Sequence, residues 1–239
     1  MKTVFFPSNT RGHADHGWLN AYHSFSFASY YSPDREQFGA LRVLNDDTIA
    51  GGMGFGMHPH KNMEIITIPL SGELEHKDSM GNHGVIKSGD VQVMSAGTGV
   101  FHSEFNHLPE QECKLLQIWV FPDKNGVEPR YDQLSLNITD REGKLQQIVS
   151  PDANDAGAWI HQKAWFHLGK FDKDAEVQYA LKKKENGVYA FVIDGSFEID
   201  GQVLNKRDAL GIWETDTLGL RATTDNSEIL LMEVPMLNA

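Results

Sequence analysis

The 239 residues predict an all-β protein made of two tandem antiparallel β-barrels, and three observations carry that prediction. Gly and other turn residues recur about every eight to twelve positions, the spacing of short strands in sandwiches and barrels. The runs between them alternate apolar and polar with a period of two, as in His23–Phe27, Leu74–His76, Val91–Met94, Gln117–Phe121 and Tyr189–Ile193. A weak internal repeat completes the picture. Ile66–Glu75 (ITIPLSGELE) reads like Ala190–Glu198 (AFVIDGSFE), and Gly89–Val93 like Arg207–Gly211.

The elements follow in order. Each half reads as strand, Gly turn, strand, polar turn, Asp, strand, and Asp194-Gly195 and Asp200-Gly201 predict hairpins. Helix signals are few: one over Pro33–Phe38, and a single turn near Asp152–Ala158 that Ser150 and Asp152 could cap. The divider is the polar stretch Asn137–Lys144, after the loop Pro122–Gly126. This gives units over 1–137 and 138–239, within the usual size of one domain each.

Composition excludes several function classes. Hydrophobic residues at 40% and charged residues at 23% belong to a chain that buries a core. There are 21 basic and 33 acidic residues, a net charge of −12, which argues against direct nucleic-acid binding because that needs clustered Lys and Arg. The first 137 residues hold 10 basic and 16 acidic residues and the rest 11 and 17, so each half carries −6. The lone Cys113 excludes an internal disulfide and reads as a small core residue of a protein in a reducing compartment. The opening MKTVFFPSNTRGH has too short an apolar run for a signal peptide. The longest apolar run, Leu115–Phe121, falls well short of the roughly 20 residues a bilayer needs. A soluble, cytoplasmic protein without membrane contact is expected.

Histidine is the uneven residue: nine of eleven precede position 110. His58 and His60 form an H-x-H pair, and residues i and i+2 of a strand share a face, so two imidazoles can meet one metal ion. Pro59 between them has no N–H, which places that strand at an edge, a start or a bulge. His102 and Glu104 repeat the spacing some forty residues on, bracketed by Gly97 and Gly99, which let backbone crowd a site. One H-x-H pair alone is commonly surface or packing; the second pair turns the reading to a metal centre of three imidazoles and one carboxylate. Such donors without thiolate suit Fe, Mn, Ni, Cu or Zn. Glu64 reads as a partner behind the ligands or a solvated strand residue, and His13, His16, His23 and His107 as structural. His76 and His83 fall in the polar stretch HKDSMGNHG and read as solvated. Phe55, Met57, Met94 and Phe101 either wall an apolar pocket or pack the core.

Other motifs are absent. Gly52-x-Gly54-x-Gly56 precedes no helix pattern, so no phosphate seat follows it. There is no G-x-S-x-G elbow and no H-E-x-x-H, and Lys182–Lys184 is too short for a nucleic-acid footprint.

At these residues the chain resembles the cupins, and specifically the pirin family. Gly52, His58, His60 and Glu64 match the first cupin pattern, with Gly72 one residue late, and Gly99, His102 and Asn106 match the end of the second. RGHADHGWLNAYHSFSFASYY, FGALRVLNDD, GFGMHPHKNMEIIT and MSAGTGVFHSE are similar to the pirin signature, and the likeness continues weakly to the end. The resemblance implies a bicupin of two jelly-roll barrels, with metal ligands mapping onto His58, His60, His102 and Glu104. Aligning Asp90 with Asp208 puts Leu220 and Ala222 where His102 and Glu104 stand, so the second unit lacks the ligands.

The implied function is a metal-dependent dioxygenase of the quercetin 2,3-dioxygenase type, opening the central ring of a flavonol with O₂ and releasing CO. Glu104 is the expected general base on the flavonol 3-hydroxyl as well as a ligand. One divalent cation is expected, Fe(II) before Ni, Mn, Cu or Zn, in a monomer. The alternative implied by the same resemblance is a metal- or redox-sensing regulatory protein that binds a protein partner and turns nothing over.

Overall fold

A computed structural model describes residues 1–237, which form four sheets, two of seven strands and two of four. In the first half the long sheet runs, in spatial order, Arg130–Ser135, Asp90–Ser95, Glu64–Ser71, Cys113–Val120, Leu41–Ile49, Leu19–His23 and Gly12–Asp15. Its short sheet runs Gly54–His60, Val100–Asn106, Glu73–Asp78 and His83–Lys87. The second half repeats the plan, with Lys2–Phe6, Ala209–Trp213, Asn186–Asp194, Ser227–Pro235, Trp165–Phe171, Leu145–Ser150 and Ala158–Trp159 in the long sheet. Glu176–Ala180, Thr217–Ala222, Ser196–Ile199 and Gln202–Asn205 make its short sheet. Thr217–Ala222 thus takes the place of Val100–Asn106, and Leu220 and Ala222 are buried in an apolar cluster.

The all-β expectation holds, with differences. The barrels are open, because the long and short sheet of each half face one another as separate sheets. The N-terminal strand Lys2–Phe6 pairs with Ala209–Trp213 in the second long sheet, the edge position that Arg130–Ser135 fills beside Asp90–Ser95 in the first. The repeated aspartates secure these edges. Asp90 accepts from Ser135 Oγ at 2.7 Å and Lys87 N at 3.1 Å. Asp208 accepts from Ser8 N at 2.7 Å and Asn205 N at 2.9 Å.

Asp200-Gly201 makes the expected hairpin, both residues at positive φ. Asp194-Gly195 does not: it is the corner where the chain leaves the long sheet for the short one, as Gly72 is in the first half. Gly195 has φ +69, and a Cβ there would lie 2.3 Å from Ser227 Oγ, so only glycine turns this corner. Both expected helices are turns instead. Asp152 spends its carboxylate on the Asn154 N–H in a local turn, and Pro33–Asp34 starts a turn that no further helical residues extend. Among the described residues the helices are the 3₁₀ segments Ser8–Thr10 and Ile138–Arg141, and no helix is long and apolar enough to cross a membrane.

The largest core lies between the halves. Leu44, Ile66 and Ile118 from one long sheet pack with Phe166, Phe191 and Leu230 from the other. Asp90–Ser95 is therefore buried along its whole length and Asn186–Asp194 at all but its last residue, the near-continuous burial of a sheet covered on both faces. Asp46 bridges the halves, meeting Arg11 at 3.1 Å and Arg207 at 2.8 Å.

Glu64 belongs to this junction, neither solvated nor behind the imidazoles. It is 1% exposed, accepts from Ser95 Oγ at 2.7 Å, and its Oε1 has no partner. Burial pushes its carboxyl up to about 7. A carboxyl raised from 4.5 keeps its proton in the folded state after the unfolded chain has lost it, so stability falls as pH rises through that window. Glu64→Gln should therefore gain stability over the parent between pH 4.5 and about 7 and hold the gain above it, measured by urea denaturation at pH 5 and pH 8.

Candidate metal centre

The site stands on the short sheet of the first half. Gly54–His60 is its edge strand, as Pro59 demands, and pairs antiparallel with Val100–Asn106, placing His58 directly opposite His102. The register slips between His102 and Glu104, so that Gly56 and Met57 together oppose Ser103. That bulge inverts the alternation once, and Phe55, His58 and His60 all face the cavity. Gly54 sits where the strands come closest: a Cβ would lie 2.2 Å from the Glu104 carbonyl oxygen.

Three imidazoles converge. Ring centroids are 4.9 Å apart for His58 and His60, 4.3 Å for His58 and His102, and 4.8 Å for His60 and His102. Their ligand atoms lie within 4.8 Å of one another. His58 Nδ1 donates to Gly56 O at 2.8 Å, which leaves the Nε2 lone pair free. His102 is 1% exposed and neither ring nitrogen has a hydrogen-bond partner, an arrangement that calls for a cation. Burial and then the neighbouring imidazoles push His60 down to about 4 and His102 to about 2, so both rings are neutral and carry lone pairs at pH 7. The donor set fits a divalent metal ion.

Glu104 shares His102 with a second trio, His76, His102 and Glu104, whose ligand atoms also lie within 4.8 Å of one another. Both Glu104 oxygens accept from Gln117 Nε2 at 3.1 Å, and Thr67 Oγ1 donates to Gln117 Oε1 at 3.2 Å. Burial raises the Glu104 carboxyl, against the pull of His76 and Gln117.

His76 reverses its expectation. It is wholly buried and stands opposite Glu104 in the central strand Glu73–Asp78. Its Nε2 meets Asp78 Oδ2 at 3.2 Å, its ring stacks on Tyr131 at 4.7 Å, and Nδ1 has no partner. Asp78 is held below its usual range: burial pushes it up, but donors from Asn82, His76 and Met80 outweigh that. The polar letters of HKDSMGNHG hide this, and the alternation Leu74, His76, Asp78 was the signal that could have shown it. His83 is exposed on Glu75, and His13 is exposed against Tyr22. His23 is buried on Asn45 Oδ1 at 2.8 Å and lines the cavity.

The cavity beside the imidazoles holds about 420 Å³. Of the four side chains read as pocket wall or core, Phe55 lines the cavity and Met94 packs in the core with Ile65, Ala96 and Val100, whereas Met57 and Phe101 are 60% and 52% exposed and do neither. Trp18, Phe27 and Trp119 supply the apolar wall, and Asp47, Asn45 and Gln117 the polar groups. Trp119 meets the His60 ring edge to face at 4.9 Å. A larger cavity of about 510 Å³ lies between the halves among Asp46, Arg141, Lys170 and Arg207, away from the imidazoles. His58, His60 and Glu104 line the smaller one. Gly54→Ala should destabilise the protein by about 1–3 kcal/mol through backbone overlap, while Gly56→Ala, which meets nothing, leaves thermal stability unchanged; melting temperatures compare them.

Comparison with known proteins fits this site. The family model described as Pirin matches residues 5–120, and the quercetinase C-terminal cupin domain matches 147–234. The chain is 43% identical over 228 residues to quercetin 2,3-dioxygenase of Escherichia coli strain K12, covering 95% of this chain and 96% of that one. It matches the crystal structure of YhhW from Escherichia coli with TM-score 0.94 at 41% identity, covering all of both chains. The structure of bacterial pirin YhhW from Escherichia coli in complex with nickel(II) matches at 0.92, also 41% identical, covering 99% of this chain and 100% of that one.

Proposed function

Because the chain belongs to the pirin family, we propose that it is a metal-dependent dioxygenase of the quercetin 2,3-dioxygenase type. The observation that carries this reading is a convergent trio of imidazoles, with the ring nitrogens of the buried His102 unpartnered, beside an aromatic-walled cavity. His58, His60, His102 and Glu104 would hold one divalent ion, Fe(II) in our assignment, with nickel, the ion in the related Escherichia coli pirin structure, fitting the same donors. When bound, that ion supplies Lewis acidity toward the flavonol 3-hydroxyl.

The residues do the rest. Trp18, Phe27, Phe55 and Trp119 present aromatic surface to a flat aromatic substrate and keep water from it. Glu104 is the general base for the 3-hydroxyl, its carboxylate aimed by the Gln117 side chain and through it by Thr67. The electron-rich flavonolate then reacts with O₂, the central ring opens, and CO leaves. All four candidate ligands come from one chain, so a monomer suffices. We place the first unit at 1–137 with the site, apart from its N-terminal strand, and the second at 138–239 as its support. The buried free thiol Cys113 suits the cytoplasm.

Protein loaded with Fe, Ni, Mn or Cu should consume O₂ with quercetin and release CO, and be silent without O₂. Loaded protein that retains its metal and consumes none contradicts the reading and favours a regulatory binding role. His102→Ala should lose the metal and all turnover, whereas His83→Ala, on an exposed ring, should keep both by elemental analysis. Glu104→Gln should cut kcat by about 100-fold or more through loss of the base.

A further inference from the structure

Beyond the four candidate ligands, the cavity contains one more acidic side chain without an assigned task. Asp47 lies in the strand Leu41–Ile49, is 5% exposed, and lines the cavity together with Glu104, Gln117, His58 and Trp119. Its Oδ1 has no hydrogen-bond partner. The next residue toward the N-terminus takes the nearby cations: Asp46, on the opposite face of the strand, meets Arg11 and Arg207. Glu104, by contrast, has both oxygens held by Gln117. A buried polar group without a partner costs stability unless something completes it, so an unpaired carboxyl in the wall of a substrate-sized cavity points to the ligand.

We propose that Asp47 is a substrate-binding residue whose carboxyl hydrogen-bonds an oxygen of the bound aromatic substrate. This rests on the dioxygenase reading for the identity of that substrate. Burial, with the charges of Asp46 and Glu104 behind it, pushes the Asp47 carboxyl up to about 8, so at neutral pH it is mainly the acid and offers an O–H donor. The two carboxyls of the cavity then divide the work: Glu104 accepts a proton, while Asp47 donates a hydrogen bond to a carbonyl or hydroxyl oxygen of the flavonol. A substrate class follows, namely flat aromatics carrying a keto or hydroxyl oxygen in addition to the one that meets the metal.

The test compares Asp47→Asn and Asp47→Leu with the parent, all metal-loaded. It measures metal content, melting temperature, anaerobic quercetin affinity by visible absorbance, and O₂ uptake. The carboxamide of Asn keeps a donor and should bind quercetin within about 3-fold of the parent, whereas Leu should weaken binding about 10-fold or more. Both variants should keep one metal per chain and the parent's melting temperature or higher. Leu binding as tightly as the parent, Asn losing as much as Leu, or a loss that tracks lost metal each overturns the inference. Parent protein that binds quercetin without turning it over contradicts the dioxygenase reading alone and leaves the assignment of Asp47 standing on the binding data. Failure of the parent to bind quercetin overturns both.

Discussion

The contact on which the rest depends is the packing of the two long sheets, face to face, across the apolar core between the halves. Leu44, Ile66 and Ile118 meet Phe166, Phe191 and Leu230 there, and this core is continuous from one half to the other. Because that face supplies so much apolar burial, the opposite face of the first long sheet is free to be polar. Asn45, Asp47, Thr67, Gln92 and the half-buried Gln117 point into the first half together with His76, His102 and Glu104. The second half makes the other choice and fills its interior with Val188, Ala190, Phe197, Leu218 and Leu220. One fold thus carries two interiors, one for chemistry and one for stability.

A polar interior places strict demands on its hydrogen bonds, and where they fail is informative. Gln117 satisfies Glu104, Thr67 approaches Gln117, Asp78 satisfies one side of His76, and Asn45 satisfies His23. The unsatisfied buried atoms include both nitrogens of His102, Nδ1 of His76, Oδ1 of Asp47, Oε1 of Gln92 and Nε1 of Trp119 in the first half, with Oε1 of Glu64 at the junction and Nδ1 of His167 in the second half. His102 is the residue left with two unpartnered ring nitrogens, and it stands in the imidazole cluster. The edge strand with its bulge and Pro59 sets His58 and His60 on the cavity side, with His58 opposite His102.

Much of this was legible in the sequence because it depended on short spacing. H-x-H and H-x-E each need only the two-residue period of a strand, and the repeat needed only matching turns, so His58, His60, His102 and the blank positions Leu220 and Ala222 could all be read. Glu104 follows from the same spacing as a fourth ligand, yet its pairing with Glu73–Asp78 groups it with His76 and His102 apart from His58 and His60. What escaped depended on pairing over long separations. His76 looks solvated until Val100–Asn106 pairs beside it, and Trp18, Phe27 and Trp119 come from three distant segments whose meeting no local pattern encodes. The N-terminal strand was missed for the same reason, since its partner Ala209–Trp213 lies some two hundred residues on. Asp194-Gly195 carries a hairpin signature, yet the demand at that point is a sheet-to-sheet corner rather than a two-strand turn.

If the polar interior of the first half is a single-ion centre built on His58, His60 and His102, X-ray absorption spectroscopy of nickel-loaded protein will show one ion per chain with the multiple-scattering pattern of three imidazoles beside oxygen donors and no sulfur. A spectrum with one imidazole or none, or a second equivalent bound in the apolar second half, contradicts it.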